Sequence, residues 1–557
     1  MEPKAEIEIE DARPSFTWKV KAEVKSITGT SPSKSGDWII NDTTIVEDCT
    51  LIINGSIIVN ETGALILKNS KIYMNLSYDG QYYVDVYGNL TIINNSLITA
   101  YNTSNNYYIK VESGAKLRIE DSEISYAGYD SDPYKSGLWI ATDGIEIVNS
   151  TICYNYVGIL LNNSQSYTIS ESKILGGTKG IYLVSGENGT IQKCTISGNE
   201  YGITGETDHI TITQTRVLNS YIGIYLTTNT LYIEGCNISK NFVGIYLCAN
   251  NTQIKSCNII DNDYGIVMYK CGSISYNNTI TECSIVNNGM GVYICTGYIN
   301  ITITNSSITD NVFYGIYTAA YGIIIKECTI ARNTHGVSAE AGYNLTIMKC
   351  KIIDNAVGID FRINQTYIID SNITGNFLGL GQTWYSPSGP FFSDVYIQGC
   401  NVHNNDFGIL LATILNVTIS HCNVYNNFVG TELCYVNSSN IFYSNIYSNT
   451  MLGISMFHSY SIILRNDTFL NNSVFIEYSY GNTVENCTVN GKPLIYLENQ
   501  QNVVISQEAG QIILVNCENI TIVNQNIIDT PIGIELWQTN HTTITNSSIY
   551  SLSLIHI

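Results

Sequence analysis

The segment 236–268 contains one short pattern twice, as CNISKNFVGIYL at 236–247 and as CNIIDNDYGIVM at 257–268. The second copy starts 21 residues after the first, and in both copies a glycine follows an asparagine by three positions. A fixed period of this size is typical of repeat proteins, in which each repeat is one structural unit. The glycine marks the repeat at Gly158, Gly180, Gly202, Gly223, Gly244, Gly265, Gly291, Gly315, Gly336, Gly358, Gly379, Gly408, Gly430 and Gly453.

Each repeat holds two runs in which apolar residues alternate with other residues, Cys-x-Ile and Gly-Ile-x-Leu. Such alternation predicts strands. A repeat of about 21 residues leaves no room for the crossover helix that joins parallel strands in open sheets, so the chain winds as a coil. Successive turns then stack about 4.8 Å apart. We therefore predict an all-β fold, a single-stranded parallel β-helix (solenoid) of about 22 coils with 21–26 residues per coil.

One turn of each coil is predicted to carry an asparagine ladder, in which each side-chain amide bonds to the amides above and below it. Asn tolerates the left-handed backbone that such a turn needs, and the glycine then lets the chain leave the turn. One extra residue follows Asn311 and Asn449, where we expect a local bulge. The ladder residues are Asn155, Asn199, Asn241, Asn262, Asn288, Asn333, Asn355, Asn376, Asn405 and Asn427.

The element N-x-x-G-I-x-L followed by x-x-C/S-x-I resembles the repeat of the pectin-lyase-like superfamily, nearest to its NosD-type and microbial surface-protein branches. The resemblance covers about 37–550 and implies a right-handed coil, in keeping with the usual hand of parallel connections. It is specific for fold and weak for function, because one fold hosts many activities.

Composition limits the classes of function. The net charge is −21, yet only 13% of the 557 residues are charged, and nothing resembles the clustered Lys and Arg of nucleic-acid-binding proteins. No run of 18 apolar residues predicts a membrane span. Some 26 Asn-x-Ser/Thr sequons favour a glycosylated protein outside the cell, although the opening residues lack the apolar core of a signal peptide.

The repeat pattern divides the chain into four parts. Residues 1–36 lack it and are predicted to be a linker or N-terminal strand segment, and 37–143 form the N-terminal capping part of the β-helix with a variant pattern. Regular coils are predicted for 144–550. Residues 551–557 break the repeat and match a translated sequencing adapter, so we expect a non-native tail on a truncated gene.

The 16 cysteines do not predict a metal site. Nine share one repeat position, which serine takes in other coils, and a Cys/Ser choice before a core isoleucine indicates a small inward side chain. A ladder lines up its members, whereas zinc needs four converging ligands. Disulfide bonds are the alternative interpretation, either between Cys236 and Cys257 or among Cys248, Cys271 and Cys295. We predict no metal and no cofactor.

No catalytic residue is identified. The resemblance implies that the superfamily's lyases and hydrolases use clustered Asp with Arg, Lys or His on one outer strand face, and hydrolysis needs two carboxyls roughly 5–9.5 Å apart. Asp261, Asp310 and Asp354 share a position, but Lys240 and Arg332 occupy it in other coils, which indicates a charge-alternating surface ladder. Weaker candidates are Asp208-His209 and Asp360 with Arg362, and His403 and His421 sit at different repeat positions.

Carbohydrate or a partner protein is predicted to contact two aromatic features. Tyrosine stands at the outward position of Gly-Ile-x-Leu in several coils, where it offers an apolar face with a polar tip; strand propensity alone is the alternative. An expanded repeat carries an aromatic loop, and loops leaving a regular scaffold often bear function. The residues are Tyr182, Tyr225, Tyr246, Tyr293, Tyr317, Trp384, Tyr385, Phe391 and Phe392.

The sequence thus favours an extracellular, structural cell-surface β-helix that is glycosylated, binds polysaccharide or neighbouring surface proteins and does not catalyse. A polysaccharide lyase or glycoside hydrolase of the same fold is the second hypothesis. An outward cluster of Asp with Arg or Lys would favour it. A NosD-like accessory protein for metal delivery is the third, and the oligomeric state is left open.

Overall fold

A computed structural model describes residues 26–270, 272, 274–383 and 392–552. The predicted right-handed parallel β-helix is confirmed, with about 23 turns. Within the described residues the only helix is the 3-10 turn Pro133–Lys135. The chain divides into two compact units after Val243. No helix in the described part of the chain is long and apolar enough to cross a membrane.

Each regular coil contributes a strand to each of three faces. We call them the first, second and third face in chain order; the Cys-x-Ile run forms the second and Gly-Ile-x-Leu the third. Equivalent residues of successive coils pair in parallel register, such as Ile259 with Ile285 and Ile266 with Val292. These four side chains are fully buried, so the alternate isoleucines and valines form the interior.

The first unit opens with Ser26–Thr28, which pairs antiparallel to Thr43–Glu47. Two long strands, Lys173–Glu187 and Thr195–Glu206, run through the second and third faces without a break. The other first-face strands are Thr43–Glu47, Ala64–Lys68, Asn89–Ile93, Lys116–Glu120, Glu146–Val148, Thr168–Ser170, Thr190–Gln192, Ile210–Thr213 and Leu231–Glu234. The second face has Thr50–Ile53, Lys71–Met74, Leu97–Ala100, Glu123–Ser125, Thr151–Cys153, Arg216–Leu218 and Asn237–Ser239. The third face has Trp38–Ile40, Ile57–Val59, Val84–Val86, Ile109–Val111, Gly137–Ile140, Val157–Gln165 and Ile222–Thr228.

The second unit repeats the three faces. Its first-face strands are Thr252–Lys255, Ser275–Thr281, Tyr298–Thr304, Tyr321–Lys326, Tyr343–Met348, Asn364–Ile369, Phe392–Gln398, Ile414–Ser420, Asn437–Phe442, Tyr460–Arg465 and Thr483–Glu485. The second face has Asn258–Ile260, Ser284–Val286, Ser307–Thr309, Thr329–Ala331, Lys351–Ile353, Asn372–Thr374, Asn401–His403, Asn423–Tyr425, Asn445–Tyr447, Thr468–Leu470 and Thr488–Val489. The third face has Val243–Ala249, Tyr264–Met268, Met290–Ile294, Tyr314–Thr318, His335–Ala339, Val357–Phe361, Leu378–Gly381, Phe407–Ala412, Val429–Cys434, Leu452–Phe457 and Val474–Glu477.

The turn between the second and third faces holds a buried asparagine ladder. In the second unit Asn333 Nδ2 donates to Asn355 Oδ1 at 3.1 Å and to the carbonyl of Ile308 at 3.2 Å, while its backbone N–H donates to the same Oδ1 at 3.0 Å. Ten asparagines are joined in this way: Asn262, Asn288, Asn311, Asn333, Asn355, Asn376, Asn405, Asn427, Asn449 and Asn472. Each amide therefore satisfies the backbone of two coils.

The first unit uses the same turn position with other partners. Asn241 Oδ1 accepts from the N–H of Ser220 at 3.0 Å, and Asn155 Oδ1 accepts from that of Ala127 at 2.7 Å. Asn199 Nδ2 donates to the carbonyl of Ser197 at 3.2 Å. The buried turn asparagine is thus common to both units.

Two details of this turn differ from the sequence prediction. The left-handed residue is the one before the ladder asparagine, as in Asp354 at φ 53°, because the asparagine must point its amide inward. The extra residue after Asn311 produces no bulge in the strands, where Met290 faces Tyr314 and Val292 faces Ile316. It is taken up in the turn, where Val312 and Phe313 are exposed.

The turn between the first and second faces carries the Cys/Ser position. The predicted small inward side chains are buried thiols at Cys194, Cys236, Cys257, Cys283, Cys328, Cys350, Cys400, Cys422 and Cys487. Serine at this position accepts the N–H of the preceding coil, as Ser306 Oγ does from Cys283 at 3.1 Å. The residue before it is again left-handed, such as Glu282 at φ 55°.

The regular coils end before residue 550, which differs from the prediction of regular coils over 144–550. After Thr488–Val489 the chain reverses, since Val489 pairs antiparallel with Lys492. The residues from 492 to 550, which we call the C-terminal coils, wind around a separate core. Their strands are Lys492–Glu498, Val504–Ile505, Gln511–Val515, Thr521–Val523, Asn526–Ile528, Ile534–Trp537, Thr543–Thr545 and Ser548–Tyr550.

Candidate functional site

The outer side of the third face changes from aromatic to polar along one column of the second unit. Tyr293, Tyr317, Ser338, Asp360 and Gly381 occupy the outward position of successive strands in register. The Tyr293 and Tyr317 rings stack at 4.9 Å with 12° between their planes. Ser338 and Asp360 are only 1% and 2% exposed although they lie outside the coil. The residues around them therefore form a built site, which we call the Asp360 site.

Asp360 is held by two neighbours that follow third-face strands. Thr383 Oγ1 donates to Asp360 Oδ2 at 2.7 Å, and Arg362 Nη2 lies 3.1 Å from the same oxygen. Arg362 Nη2 also donates to Thr383 Oγ1 at 3.0 Å. The Arg362 side chain is 27% exposed, and its buried Nε has no hydrogen-bond partner among the described residues. The guanidinium thus keeps donor capacity beyond its bond to Asp360.

Ser338 lies between Tyr317 and Asp360 in the column. Its Oγ is buried and has no hydrogen-bond partner within the described part of the chain. An unsatisfied buried hydroxyl costs about 1–3 kcal/mol, so such groups in folded proteins usually meet a water or a ligand. The Ser338 hydroxyl is thus a buried polar group in the middle of the column, next to the Asp360–Arg362 pair.

His335 and Tyr314 form the flank of the site at the start of the third-face strands. Their rings stack at 5.0 Å, and the Tyr314 ring meets that of Tyr317 edge-on at 5.4 Å. Burial lowers the pKa of His335 below its usual 6.5, against the opposing effect of Asp360. Burial, followed by the charge of Glu340, raises the pKa of Tyr314 and of Tyr317. At neutral pH the site therefore holds a neutral imidazole and two protonated phenols.

The site presents two kinds of group to its surroundings. Tyr293 and Tyr317 present half-buried rings, and the partly exposed Arg362 and the exposed Glu340, whose Oε2 accepts from Tyr317 Oη at 3.4 Å, present a donor and an acceptor. A stacking surface beside a few fixed polar groups is the usual composition of a carbohydrate or small-ligand site.

The predicted tyrosine stripe is outward-facing and half-buried in both units. In the first unit the Lys179 ammonium lies 3.4 Å from the Tyr182 ring centre, and Tyr225 meets Tyr201 at 6.3 Å. In the second unit Tyr246 meets Tyr269 at 6.2 Å, whereas Tyr293 and Tyr317 belong to the Asp360 site. The stripe is therefore a set of local ring contacts.

The predicted aromatic loop is described only in part. Trp384, Tyr385 and Phe391 lie outside the described residues. Phe392 is half-buried and begins the first-face strand Phe392–Gln398, where it pairs with Ile414. The loop's role in binding stays a prediction.

The aspartates that share the position before the ladder asparagine lie on the surface with compensating partners. Arg332 Nε donates to Asp310 Oδ1 at 2.6 Å, and this bond lowers the pKa of Asp310. Asn287 Nδ2 donates to Asp261 Oδ1 at 2.6 Å. Asp354 acts on Arg332 by its charge. These contacts favour the surface-ladder interpretation over a catalytic one.

The acidic, cysteine and histidine side chains can be compared with the convergent geometry that a metal site needs. No group of three or more His, Cys, Asp or Glu side chains able to hold a metal occurs within 26–270, 272, 274–383 and 392–552. His403 stacks on Tyr425 at 4.6 Å and His421 on Tyr443 at 5.4 Å, in separate columns. Metal delivery therefore stays a hypothesis.

The cysteines differ in their oxidation state. Cys236 and Cys257 are both thiols, so the disulfide considered between them is not formed. Cys248 is disulfide-bonded, Cys295 is a thiol, and Cys271 lies outside the described residues.

Asp360 with Arg362 is only a weak candidate in the sequence, and Ser338, His335, Glu340 and Thr383 are not recognisable there as members of one site. The signal was present in the outward position of Gly-Ile-x-Leu. There Asp360 replaces a tyrosine at a place where a charge is costly unless it is paired. Reading this single position down the chain would have found the column.

Comparison with known proteins agrees with the fold. The family model described as "Right handed beta helix region" matches residues 157–300, 277–389 and 385–491. No curated protein sequence matches the chain. Among solved structures, the mannuronan C-5 epimerase AlgE4 A-module of Azotobacter vinelandii is 13% identical with a TM-score of 0.28, covering 70% of this chain and 90% of its own.

Two further structures show the same level of similarity. The periplasmic alginate epimerase AlgG is 11% identical with a TM-score of 0.32, covering 72% of this chain and 84% of its own. A mutant tailspike protein of E. coli bacteriophage HK620 is 11% identical with a TM-score of 0.24, covering 78% and 71%. These similarities concern the fold alone.

Proposed function

The chain belongs to the right-handed β-helix family, and from that premise we propose that it is a polysaccharide-binding protein of the cell exterior whose ligand lies on the Asp360 site. The observation that carries the proposal is the column itself. Two stacked tyrosines lead directly to a buried, unpaired Ser338 hydroxyl and the Asp360–Arg362 pair. Half-buried aromatic rings beside a partly exposed guanidinium fit a ligand that is apolar on its faces and hydroxylated at its edges.

Binding without catalysis is favoured over glycoside hydrolysis. Hydrolysis needs two carboxyl groups across the bond, one of them protonated. Asp360 is bound to Arg362 and accepts from Thr383, so its carboxylate is engaged within the protein, and Glu340 lies on the exposed surface. The site therefore does not place two free carboxyl groups across a ligand.

The test is retention of the full-length protein on immobilised acidic and neutral polysaccharides, with reducing and unsaturated ends measured in parallel. We expect retention without new ends, and at least a tenfold loss of affinity in Asp360→Asn and Arg362→Gln. Asp354→Asn is the matched control, because Asp354 lies on the surface away from the column, and it should bind as the wild type does. Equal binding by all three variants would contradict the proposal.

One observation favours a second candidate, a polysaccharide lyase. His335 is neutral at pH 7, Tyr314 stacks on it as a protonated phenol, and Arg362 supplies a cation on the same outer face. Abstraction of a proton next to a sugar carboxylate requires a base of this kind, a cation at the carboxylate and a proton donor for the leaving oxygen. If unsaturated ends form, His335→Ala should abolish them while His421→Ala, a histidine of another column, should not.

We propose from the amino-acid composition that the protein is located outside the cell. The surface is poor in charge and the chain rich in Asn, Ser, Thr and Tyr, as expected of proteins that meet glycans rather than nucleic acid. Surface labelling of intact source cells with a membrane-impermeant reagent tests this. Labelling only after lysis would place the protein inside.

A further inference from the structure

The last regular coil leaves one strand with a free edge. Val474–Glu477 pairs in parallel with Leu452–Phe457 on one side, in the register Ile454 with Val474 and Met456 with Ile476. In a parallel sheet alternate residues bond to opposite neighbours. The N–H groups of Val474 and Ile476 therefore face the side on which the next coil would lie in an uninterrupted β-helix. An unpaired edge of this kind is a template for further strands unless it is covered.

Two side chains of the C-terminal coils cover this edge in place of a strand. Gln511 Oε1 accepts the N–H of Val474 at 3.0 Å, and Gln511 Nε2 donates to the carbonyl of the same residue at 2.6 Å. Glu535 Oε1 accepts the N–H of Ile476 at 2.9 Å. Gln511 is fully buried and Glu535 is 4% exposed. The edge is thus satisfied by one amide and one carboxyl group.

The C-terminal coils form a body that can separate from the edge. Their core is made of their own residues, Ile505, Ala509, Ile512, Leu514, Cys517, Ile520, Ile522, Ile527 and Ile534. Beyond Gln511 and Glu535, contacts to the regular coils include Trp537 Nε1 to Tyr480 Oη at 3.1 Å and Thr530 Oγ1 to the carbonyl of Asn472 at 3.3 Å. Ile513 and Val515 lie on the same side of their strand as Gln511, are fully buried and are not part of that core. Detachment therefore breaks an interface with polar and apolar contacts and leaves the separate core in place.

Glu535 is the ionisable member of this interface. Its Oε2 is buried and has no partner among the described residues, which suits a protonated carboxyl. Burial raises the pKa of Glu535 to about 8, opposed by the Ile476 N–H and reinforced by the charge of Glu477. Glu477 lies on the edge strand, and Glu498 on Lys492–Glu498 accepts from the N–H of Gly481 at 2.8 Å. The third charged group of these strands, Lys492, is paired with Glu508 at 2.6 Å. Glu477, on the edge strand itself, therefore acts against ionisation of Glu535.

We propose that the C-terminal coils are a proton-dependent cap, which is docked in acidic and neutral solution and detaches in alkaline solution to uncover the edge of Val474–Glu477. The reason is that a buried carboxylate facing Glu477 costs far more than a buried carboxyl. In the detached state Glu535 is in water and ionises at its ordinary, lower pH. Opening of the cap therefore releases a proton. Each pH unit between the pKa of Glu535 in the detached state and its pKa in the docked state raises the equilibrium constant for opening about tenfold.

The test is hydrogen exchange of the Val474–Glu477 amides in the full-length protein at pH 6, 8 and 9, corrected for the exchange rate of the unfolded peptide. We expect protection to fall on the order of 100-fold from pH 6 to pH 8. Glu535→Gln places at this position the same amide group that Gln511 already uses at the edge. In this variant the protection of the Val474–Glu477 amides should change less than threefold from pH 6 to pH 8. Glu518→Gln is the matched control, an exposed carboxyl of the same coils, and should behave as the wild type.

A second variant tests the proposal even if Glu535→Gln does not fold. Gln511→Glu places a second carboxyl on the same edge, so its loss of protection should move to lower pH than in the wild type. Wild-type protection that is unchanged from pH 6 to pH 9 would overturn the proposal. So would an equal loss of protection in wild type and Glu535→Gln.

Discussion

The two turns that flank the second face each need a residue with left-handed backbone, whatever residue type the sequence supplies there. Arg332, Lys349 and Tyr443 adopt φ between 54° and 55° in these turns. For a residue with an ordinary side chain this conformation costs about 1–2 kcal/mol, whereas Asn and Gly adopt it readily. The chain tolerates the cost because the following residue must turn inward to join a ladder. Positions of this kind are therefore sites where stability can be gained.

Replacing Lys349 by asparagine should stabilise the protein. Lys349 is exposed at φ 54°, so Lys349→Asn removes backbone strain and no buried contact. We expect the free energy of unfolding to rise by about 0.5–1 kcal/mol, measured by urea denaturation. Lys351→Asn is the control, because Lys351 is an exposed strand residue; a gain there of the same size would show that backbone strain is not the cause.

The asparagine ladder should be far more sensitive. Asn355→Ala removes an amide that accepts from the N–H and Nδ2 of Asn333 and donates to Asn376 at 3.1 Å. Two buried donors of Asn333 lose their acceptor, and the buried acceptors Asn376 Oδ1 and the Ile330 carbonyl lose a donor, so the free energy of unfolding should fall by about 2–4 kcal/mol. Asn401→Ala, in an exposed pair with Asn423, should change it by less than about 0.5 kcal/mol. Equal effects in a urea titration would contradict a structural role for the buried ladder.

The many sequons have a structural origin at the same scale. In Asn149-Ser150-Thr151 the asparagine is left-handed at φ 45°, the serine is the buried ladder residue, and the threonine begins the strand Thr151–Cys153. The repeat thus generates Asn-x-Ser/Thr triplets by its own turn chemistry. Asn149 also uses its amide to bond Asp121 at 2.6 Å. The number of sequons therefore says little about glycosylation.

At the scale of single turns, Asp467 occupies a position that belongs to Cys or Ser in other coils. It is buried, accepts the N–H of Ser444 at 2.8 Å, and burial raises its pKa to about 7 from an ordinary 3.8. The folded state therefore holds a proton that the unfolded state has lost between these two pH values. Its contribution to stability is complete below pH 3.8 and declines as pH rises to about 7.

Asp467→Asn should remove this dependence. Three pH units at about 1.4 kcal/mol each make the wild type lose up to about 4 kcal/mol between pH 4 and pH 7 through this group. The unfolding free energy of the variant should fall less between pH 4 and pH 7 than that of the wild type, by up to the same amount of about 4 kcal/mol, when both proteins are measured at both pH values. Asp354→Asn, on the exposed face of another turn, is the control and should follow the wild type.

The elements themselves were predictable, and the site was not. The 21-residue period and the alternation in Cys-x-Ile and Gly-Ile-x-Leu determine which side chains point inward, because burial alternates along a strand. The Asp360 site depends on which turns fold over the outer side. Arg362 and Thr383 reach Asp360 from two different coils, and no repeat pattern specifies that contact. The reversal after Val489 escaped prediction because no repeat pattern specifies it either.

At the scale of the whole molecule, each coil of the second unit contacts chiefly its neighbours, so stability is close to a sum of coil terms. Deleting residues 423–444 removes one whole coil and joins Cys422 to Asn445, which keeps every ladder in phase. We expect this variant to keep its β-sheet circular dichroism and to unfold cooperatively. Deleting only 423–433 removes half a coil and puts inward residues outside. It should fail to fold, and a stable product would contradict the one-dimensional description.

Two side chains, Gln511 and Glu535, close the edge at Val474–Glu477. They require of the strand they cover only one backbone N–H and a second N–H two residues later. Every third-face strand of the regular coils presents that spacing. The C-terminal coils, which require so little of the strand they cover, can dock on a β-helix with any number of regular coils. Gene duplication and loss can therefore change the number of regular coils over generations without any accompanying change in the C-terminal coils.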